Sequence, residues 1–387
     1  MSDLSPLWPP GRFITVGNMM KRLRLLATSV LSGVLLLVAS FLPDAVFGGA
    51  AAGPSAGPSS ESSAGSPAPA PPAGELAEVR YGPFTLGPAG AGGDLDHANV
   101  VLPNLPRPCD DCFIVRAEPD LVYDDGTPAN LDSGVMLHHA VFFNSGRLDT
   151  TCGGDEFLGR LGERFLASGN ERTARRYPDG FGYHLGRDPV NGVFHIMNHS
   201  AEPKTVWFTY RYRWVPDTTP GILPITPVWL DMENCRTSEY EIPAGPSSRH
   251  WQWKSTVTGR IISGGGHVHD GGVRTTLTNA TTARHLCTSW AGYGQKPAYM
   301  GTIESMSYCT WDSLGAVRAG EVLDLEAVYD AAEGDPGAMG IMVVHVYETP
   351  DVDGGTAPPP EANGAVRPPG ATPPPAGGAA PGHHPHH

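Results

Sequence analysis

Frequent turn-forming residues constrain the fold of this chain more than any other feature. From about residue 76 to residue 350, Gly, Pro, Asp and Asn recur at short intervals, and the runs between them are rich in Val, Ile, Phe, Tyr, Trp and Thr. Such spacing is typical of β-sandwiches and barrels, not of a sheet with crossover helices. We expect strands at Val135–Asn144, Val193–Met197, Thr205–Trp214, Arg260–Ser263, Val273–Thr278, Val322–Tyr329 and Ile341–Tyr347.

Two further segments shape the predicted domain plan. Only Glu156–Arg176 has a helical period. Four prolines between Val215 and Pro227 exclude a central strand and indicate a crossing between domains. The sequence therefore predicts an all-β protein of two tandem antiparallel, jelly-roll-like β-sandwiches, residues 76–215 and 216–349.

The N-terminus has the features of an export signal. Three basic residues at positions 21, 22 and 24 precede an apolar run, Leu25–Leu42, and small residues at positions 48–50 follow it. Residues 1–50 are therefore interpreted as a signal peptide, with an uncleaved membrane anchor as the alternative. Either one predicts that the remainder is secreted or extracytoplasmic, and the second predicts in addition that it is anchored to a membrane.

Both flanks of the predicted sandwiches have a composition that buries little apolar surface. Residues 51–75 are almost wholly Ala, Gly, Pro and Ser, which predicts a disordered linker. Residues 350–387 are rich in Pro, Gly and, at the end, His, which predicts a disordered tail. Its histidines have no fold to fix a specific metal site.

Charge and cysteine content narrow the partners and the compartment. The net charge is −14, and since residues 1–50 hold four basic and two acidic residues, the remainder carries −16. This argues against nucleic acids and anionic membrane surfaces as partners. The six cysteines predict disulfides, in an order the sequence leaves open: Cys109, Cys112, Cys152, Cys235, Cys287 and Cys309. Cys109 and Cys112 form a C-x-x-C that favours a disulfide loop over a zinc or redox site.

A Gly-rich segment around residue 267 carries a possible metal site. His267 and His269 are two residues apart, so in a strand both imidazoles point to one side. Five flanking glycines leave space for a ligand or mark a bend. The alternative is a polar strand end with two solvated histidines.

The first half has histidines of its own. His138 and His139 are adjacent at the start of an apolar strand, so both reach one metal only if the strand is bulged or begins there. Otherwise one belongs to the core and the other to the surface. His195 has apolar neighbours and is better placed for a buried site than His199, which we assign to a turn or to a supporting position.

Two methionines lie on the last predicted strand. Met339 and Met342 have opposite parity, so one can face a site while the other packs in the core. Methionines on strands are usually core residues. As a ligand, a thioether is soft and selects copper over calcium, magnesium or zinc.

The order His-His, single strand His, His-x-His and Met resembles the type II copper, ascorbate-dependent monooxygenases, a family that includes peptidylglycine α-hydroxylating monooxygenase and dopamine β-monooxygenase. The segment from Met339 to Tyr347 is similar to the closing strand of the latter. The chain also resembles stress up-regulated nodulin proteins, which carry a Gly-rich His-x-His-Asp-Gly-Gly element. The resemblance covers about residues 80–348.

This resemblance implies two copper ions. The first domain would hold an electron-storing copper through His138, His139 and His195. The second domain would hold the oxygen-activating copper through His267, His269 and Met339, which would be the catalytic centre. Two sandwiches facing a wet cleft, with ascorbate or another one-electron donor as reductant, would complete the enzyme.

The chain departs from the family pattern at several positions. Gly265 replaces an arginine that binds a substrate carboxylate, and Ile341 and Val343 replace further peptide anchors. A peptide C-terminus is therefore not expected as the substrate. Ala327 and Gly340 stand where the family has a disulfide, so Cys287 and Cys309 must pair differently.

Three functions follow as hypotheses. The first is a secreted copper monooxygenase that uses dioxygen to hydroxylate a C–H bond of an uncharged or weakly polar small molecule. The second is a non-enzymatic extracellular copper-binding or stress protein on the same scaffold. The third is a structural or adhesive β-sandwich protein without metal. The sequence leaves the oligomeric state open.

Overall fold

A computed structural model describes residues 74–89, 99–235, 237–294, 296–299, 301–369 and 371. The predicted leader, most of the predicted linker and the His-rich end lie outside the described residues. The described chain is almost entirely β-structure in several antiparallel sheets, so the all-β prediction is confirmed. No helix among the described residues is long and apolar enough to span a membrane.

The first half of the described chain forms two sheets. The strands of the larger sheet are β1 (Glu75–Leu86), β3 (Cys112–Tyr123), β6 (Arg175–Arg176), β7 (Phe181–His184), β9 (Lys204–Pro216) and β10 (Leu223–Pro224). Their order is β1-β9-β3-β7-β10, with β6 beside β3. The strands of the smaller sheet, in the order β2-β8-β4-β5, are β2 (Asn99–Leu102), β4 (Val135–Asn144), β5 (Glu163–Gly169) and β8 (Val190–Asn198).

The second half also forms two sheets. The strands of the first are β11 (Thr226–Asp231), β12 (Glu239–Ile242), β14 (Gly259–Val268), β18 (Tyr308–Val317) and β20 (Asp335–Glu348), ordered β11-β20-β14-β18 with β12 beside β20. The strands of the second are β13 (Gly245–Lys254), β15 (Gly272–Asn279), β16 (Arg284–Tyr293), β17 (Ile303–Met306) and β19 (Val322–Ala331), ordered β13-β19-β15-β16-β17. Two 3₁₀ turns, Leu131–Ser133 and Pro297–Tyr299, complete the elements together with the helix described below.

Each half has its own buried core. The core of the first half is rich in aromatic side chains, such as Phe142, Phe194 and Tyr210. The core of the second half is mainly aliphatic. Strand β19 alternates buried and partly exposed residues because one face is solvated, whereas β20 is buried over ten consecutive residues because both of its faces are covered.

The two halves are tied to each other. The disulfide between Cys152 and Cys235 joins the segment after β4 to the turn after β11, and the hydroxyl of Thr150 donates a hydrogen bond to the carbonyl of Pro227 (2.9 Å). All described residues fall in one compact unit of the chain. The division into two domains near residue 215 stays a prediction.

The helix predicted at Glu156–Arg176 is wrong. Only α1 (Leu158–Leu161) is helical, and the segment continues as β5, a connection at residues 170–174, and β6. Local periodicity was overridden by the antiparallel ladder between β4 and β5, in which Val141 lies opposite Ala167.

Residues 350–369 are also more ordered than their composition predicts. The indole Nε1 of Trp290 donates to the carbonyl of Gly364 (2.9 Å), the guanidinium of Arg367 lies over the Trp290 ring, and Val352 is buried. This segment has no core of its own, but it packs on β16 and β18. The contacts with these strands offset the conformational entropy that the segment loses when it becomes ordered.

The other two disulfides join Cys109 to Cys112 and Cys287 to Cys309. The first is the loop predicted from the C-x-x-C spacing. Three disulfides indicate that the protein folds in an oxidising environment.

Candidate metal centre

A β-bulge in β4 brings two adjacent histidines to the same side. The register shifts by one residue between Leu137 and His139, so His138 is the extra residue on this strand. As a result, the Nδ1 atoms of His138 and His139 lie 3.0 Å apart. The sequence identified this requirement, and the structure meets it.

His195 completes this group from the neighbouring strand. It lies directly opposite His139 in the ladder between β4 and β8, and its ring centroid is 4.4 Å from that of His138. One ring nitrogen from each of the three histidines lies within 4.8 Å of those of the other two. Burial, followed by the charges of His195 and His267, lowers the pKa of His139 to about 3. The imidazole is therefore neutral near pH 7, the form that binds a metal.

The second pair follows the period of a regular strand. His267 lies near the end of β14 and His269 just beyond it, and their ring centroids are 5.4 Å apart. Thr275 and Ser289 pack against Gly266, where a Cβ atom would lie 2.2 Å from the Thr275 hydroxyl. Glycine at this position therefore allows the strand to lie close to the sheet beneath it.

Met339 faces the same region from β20. Its strand pairs with β14 so that Ile341 lies opposite His267. Met339 packs with Trp229, Ile341 and Val343, whereas Met342 packs in the core of the second half. The two methionines therefore separate as their parity predicts.

A tyrosine connects the backbone of the second set. The amide of His269 donates to the hydroxyl of Tyr329 (2.9 Å), and this hydroxyl donates to the carbonyl of Met339. Tyr329 is fully buried. The sequence did not indicate this residue, because its contacts depend on the packing of β19 under β14 and β20.

Glu171 is a second residue that the sequence analysis missed. Its buried carboxylate lies 3.1 Å from Nδ1 of His267, while Nε2 of His267 is buried and has no hydrogen-bond partner among the described residues. A carboxylate on one ring nitrogen fixes the tautomer and leaves the other nitrogen as an acceptor for a metal. Burial acts to raise the pKa of Glu171, but the charge and hydrogen bond of His267 outweigh it and the pKa is lowered.

The two predicted ligand sets, one from each half of the chain, are in contact with each other. The rings of His138 and His269 are 5.0 Å apart and nearly perpendicular. The sequence predicts two sites facing a wet cleft, but the five imidazoles form one adjoining cluster. His199 lies beyond the end of β8, and its amide donates to the carbonyl of Gly134.

A cavity of about 150 Å³ opens beside this cluster. Its wall includes His139 from the first set and His267 and Met339 from the second. Half of the other lining residues have apolar side chains: Val141, Phe143, Phe157, Leu158, Ala167, Val193, Trp229, Ile341 and Val343. The polar ones are Arg164, Ser168, Glu171, Arg175, Thr237 and Ser238. The space therefore suits the hydrocarbon part of a small molecule.

Comparison with known proteins agrees with part of the expected resemblance. Residues 200–349 match the family described as stress up-regulated Nod 19. The match spans β9–β20 and includes the His-x-His and Met339. The likeness to the peptide-amidating and dopamine enzymes stays a prediction.

Two curated fungal proteins are similar over a longer stretch. The probable copper-dependent oxygenase M1 of Phoma sp. (strain ATCC 20986 / MF5453) is 26% identical over 269 residues, 67% of each chain. The probable copper-dependent oxygenase clz3 of Cochliobolus lunatus is 27% identical over 227 residues, 56% of this chain and 71% of that protein.

A solved chain titled "Crystal structure of PBCV-1 VP54 fitted into a cryo-EM reconstruction of the virophage Sputnik" overlaps 70% of this chain and 93% of its own. With 8% identity and a TM-score of 0.24, it has no bearing on fold or function.

Proposed function

We propose that this protein is a secreted copper-dependent monooxygenase that hydroxylates a C–H bond of a small organic substrate with dioxygen and an external reductant. The closeness of the two histidine sets, with His139, His267 and Met339 lining one cavity, supports this proposal most directly. The printed names of the two fungal relatives, both probable copper-dependent oxygenases, add support.

The residues present suit copper. The first set offers three imidazoles, and the second offers two imidazoles and a thioether, a donor combination that copper favours in both of its common oxidation states. Bound copper would supply one-electron redox chemistry and the activation of dioxygen. We assign one ion to each set, with ascorbate or another one-electron donor as reductant.

The protein's own groups prepare the site. Burial keeps His139 neutral, and Glu171 orients His267 so that Nε2 faces the site. The apolar walls exclude water and hold a substrate against the side of the cavity that carries His139, His267 and Met339.

Copper stoichiometry and spectroscopy test the proposal. The full-length chain should be used with the histidines at positions 383, 384, 386 and 387 changed to alanine, so that the tail does not capture metal. We expect two copper ions per chain with type II electron paramagnetic resonance signals, and oxygen uptake that depends on an added reductant.

Met339→Ala separates the enzyme from its main alternative. For the enzyme, we expect oxygen uptake to fall while the copper of the first set is retained. A protein that holds copper with no oxygen uptake under any donor would instead be a non-enzymatic copper-binding or stress protein. Absence of bound copper would reject both.

A further inference from the structure

A buried arginine in the cavity has a nitrogen without a partner. Arg175, on the two-residue strand β6, lines the cavity and is only 5% exposed. Its Nη1 atom is buried and makes no hydrogen bond to any part of the chain that the structure describes. Among the ion pairs of the described residues, none involves Arg175. A buried guanidinium without a hydrogen-bonded acceptor is unfavourable, so its retention needs a reason.

The same cavity contains a second buried arginine, Arg164, whose guanidinium is paired with a carboxylate. Arg164 is equally buried, but it is held by both carboxylate oxygens of Asp149 (2.7 and 2.9 Å) and lies over the ring of Trp229. This contrast shows that the fold neutralises a buried guanidinium where the guanidinium has a structural role. Arg175 lacks that arrangement.

The neighbours of Arg175 do not satisfy Nη1. Its guanidinium lies 5.5 Å from the ring centroid of Tyr308, and a ring accepts no conventional hydrogen bond. The charge of Arg175 acts to lower the pKa of Glu171, but the Glu171 carboxylate forms its hydrogen bond with His267. Neither of these neighbours accepts a hydrogen bond from Nη1.

Gly265 allows this nitrogen and the Tyr308 ring to lie close to the backbone of β14. A Cβ atom at position 265 would lie 2.8 Å from Nη1 and 2.6 Å from the Tyr308 ring. Gly265 and His267 are same-side neighbours on β14, about 7 Å apart along the strand. Their partners on β20 are Val343 and Ile341, which line the cavity. An anion at Arg175 would therefore be separated from His267 by an apolar surface.

We infer that Arg175 binds the carboxylate of the substrate, and that a hydrocarbon part of about six carbons fills the cavity of about 150 Å³ beside His139, His267 and Met339. This rests on the proposed function and names its substrate class: a small carboxylic acid with an apolar body. A guanidinium pairs with a carboxylate through charge-assisted hydrogen bonds, which are stronger than those to an alcohol.

This class differs from the uncharged or weakly polar substrate expected from Gly265. That expectation rested on Gly265, Ile341 and Val343, which all lie in the second half. Arg175 precedes Gly265 by ninety positions in the sequence and reaches the same place from the other half.

The test uses three probes of equal chain length: hexanoate, hexan-1-ol and hexylamine. Their binding to the full-length copper-loaded protein is measured by isothermal titration calorimetry. We expect hexanoate to bind most tightly and hexylamine least. Equal affinity for hexanoate and hexan-1-ol would overturn the inference.

Variants locate the binding group. Arg175→Met should weaken hexanoate binding by about 10- to 100-fold and leave hexan-1-ol nearly unchanged. Arg175→Lys should show an intermediate affinity, because it keeps the charge but not the planar guanidinium.

Arg260→Met is the matched control. Arg260 also lies over a ring, that of Tyr347 (5.4 Å), and its Nε is also buried without a hydrogen-bond partner among the described residues. Unlike Arg175, it lies outside the cavity. It should bind hexanoate normally. Equal weakening in both Met variants would contradict the assignment.

Thermal stability separates binding from a structural role. Without a probe, Arg175→Met should melt at or above the temperature of the parent protein, because it removes a buried guanidinium nitrogen that has no hydrogen-bond acceptor among the described residues. A lower melting temperature combined with unchanged hexanoate binding would show that the residue is structural.

A metal-free arm separates this inference from the proposed function. Hexanoate binding that depends on Arg175 should persist after copper is removed with a chelator. If the protein holds no copper yet binds hexanoate through Arg175, the proposed function fails and this inference stands. If hexanoate binds only with copper present and regardless of Arg175, the carboxylate ligates the metal and this inference fails.

Discussion

The two histidine pairs reach the same result by different backbone routes. His138 and His139 are adjacent, and only the extra residue in β4 lets both rings face His195. His267 and His269 are spaced by one residue and need no irregularity, but β14 needs glycine so that it can lie against its neighbours. Two adjacent histidines therefore need a β-bulge to face the same side. Two histidines at positions i and i+2 need no bulge, but here they need neighbouring residues without side chains.

The difference extends to what supports each pair. In the first set, His139 and His195 lie opposite each other on two strands of the same half. The second set takes Glu171 from the first half and Tyr329 from a neighbouring strand. We therefore expect changes at the junction of the halves to affect the second set more than the first.

The largest expected effect concerns the disulfide that joins the halves. Cys152→Ser with Cys235→Ser should reduce the free energy of unfolding by about 2–5 kcal/mol, since the bond closes a loop of 83 residues. The matched control is the Cys287–Cys309 pair, which closes 22 residues within the second half, and its loss should cost about 1 kcal/mol less. Chemical denaturation measures both. A smaller cost for the pair that joins the halves would show that other contacts hold them together.

A second prediction concerns the pH dependence of stability and a buried carboxyl of the first half, that of Glu163. Burial raises the pKa of Glu163 to about 7, although the hydroxyl of Tyr183 and the charge of Arg147 act to lower it. The folded protein thus binds this proton more tightly than the unfolded chain. The stabilisation is complete below about pH 4.5 and is lost as the pH rises through 7.

Glu163→Gln should remove this dependence. Between pH 4.5 and pH 8, the parent protein should lose about 3 kcal/mol of stability more than the variant does. Denaturation at several pH values measures the difference. Parallel curves for the two proteins would show that neighbouring groups accommodate the ionised carboxyl.

Glu171→Ala should distinguish the two sets by metal affinity. Loss of the carboxylate on His267 is expected to weaken copper binding at the second set by about 10- to 100-fold, with a smaller loss for Glu171→Gln. Copper competition with a chelator, followed by spectroscopy, measures each set separately. Equal weakening at the first set would mean that the adjoining rings act as one unit.

The smallest effect is expected at Tyr329. Tyr329→Phe removes the hydroxyl between the backbones of His269 and Met339 and should cost about 1 kcal/mol of stability. Tyr240→Phe is the control, because the hydroxyl of Tyr240 is buried without a partner and its loss should be neutral or stabilising. The Tyr329 variant should also perturb the spectrum of the second set. A larger cost for the control would reverse this assignment.

Strands that carry a strong local pattern were predictable from the sequence. Val135–Asn144 was predicted with the bounds that the structure shows. The β5 strand was not, because its residues also fit a helical period and only pairing with β4 decides between the two.

The candidate site was predictable only in part. The sequence shows which histidines occur in suitable order, and the bulge in β4 was recognised as a condition. Glu171 and Arg175 escaped notice because both lie in the segment predicted as helix and both act on residues about 90 positions away. Contacts between side chains of the two halves leave no recognisable pattern in the sequence around either residue.

Ile262 shows how closely the halves are interlocked. A register shift in β14 between Ile261 and Ser263 turns this side chain away from its own half, and it is buried in the aromatic core of the other. The hydrophobic core of the first half is thus completed by a side chain that is synthesised after that half of the chain. A fragment ending before β14 would carry an isoleucine-sized hole, so the N-terminal half reaches its final packing only after the ribosome has passed residue 262.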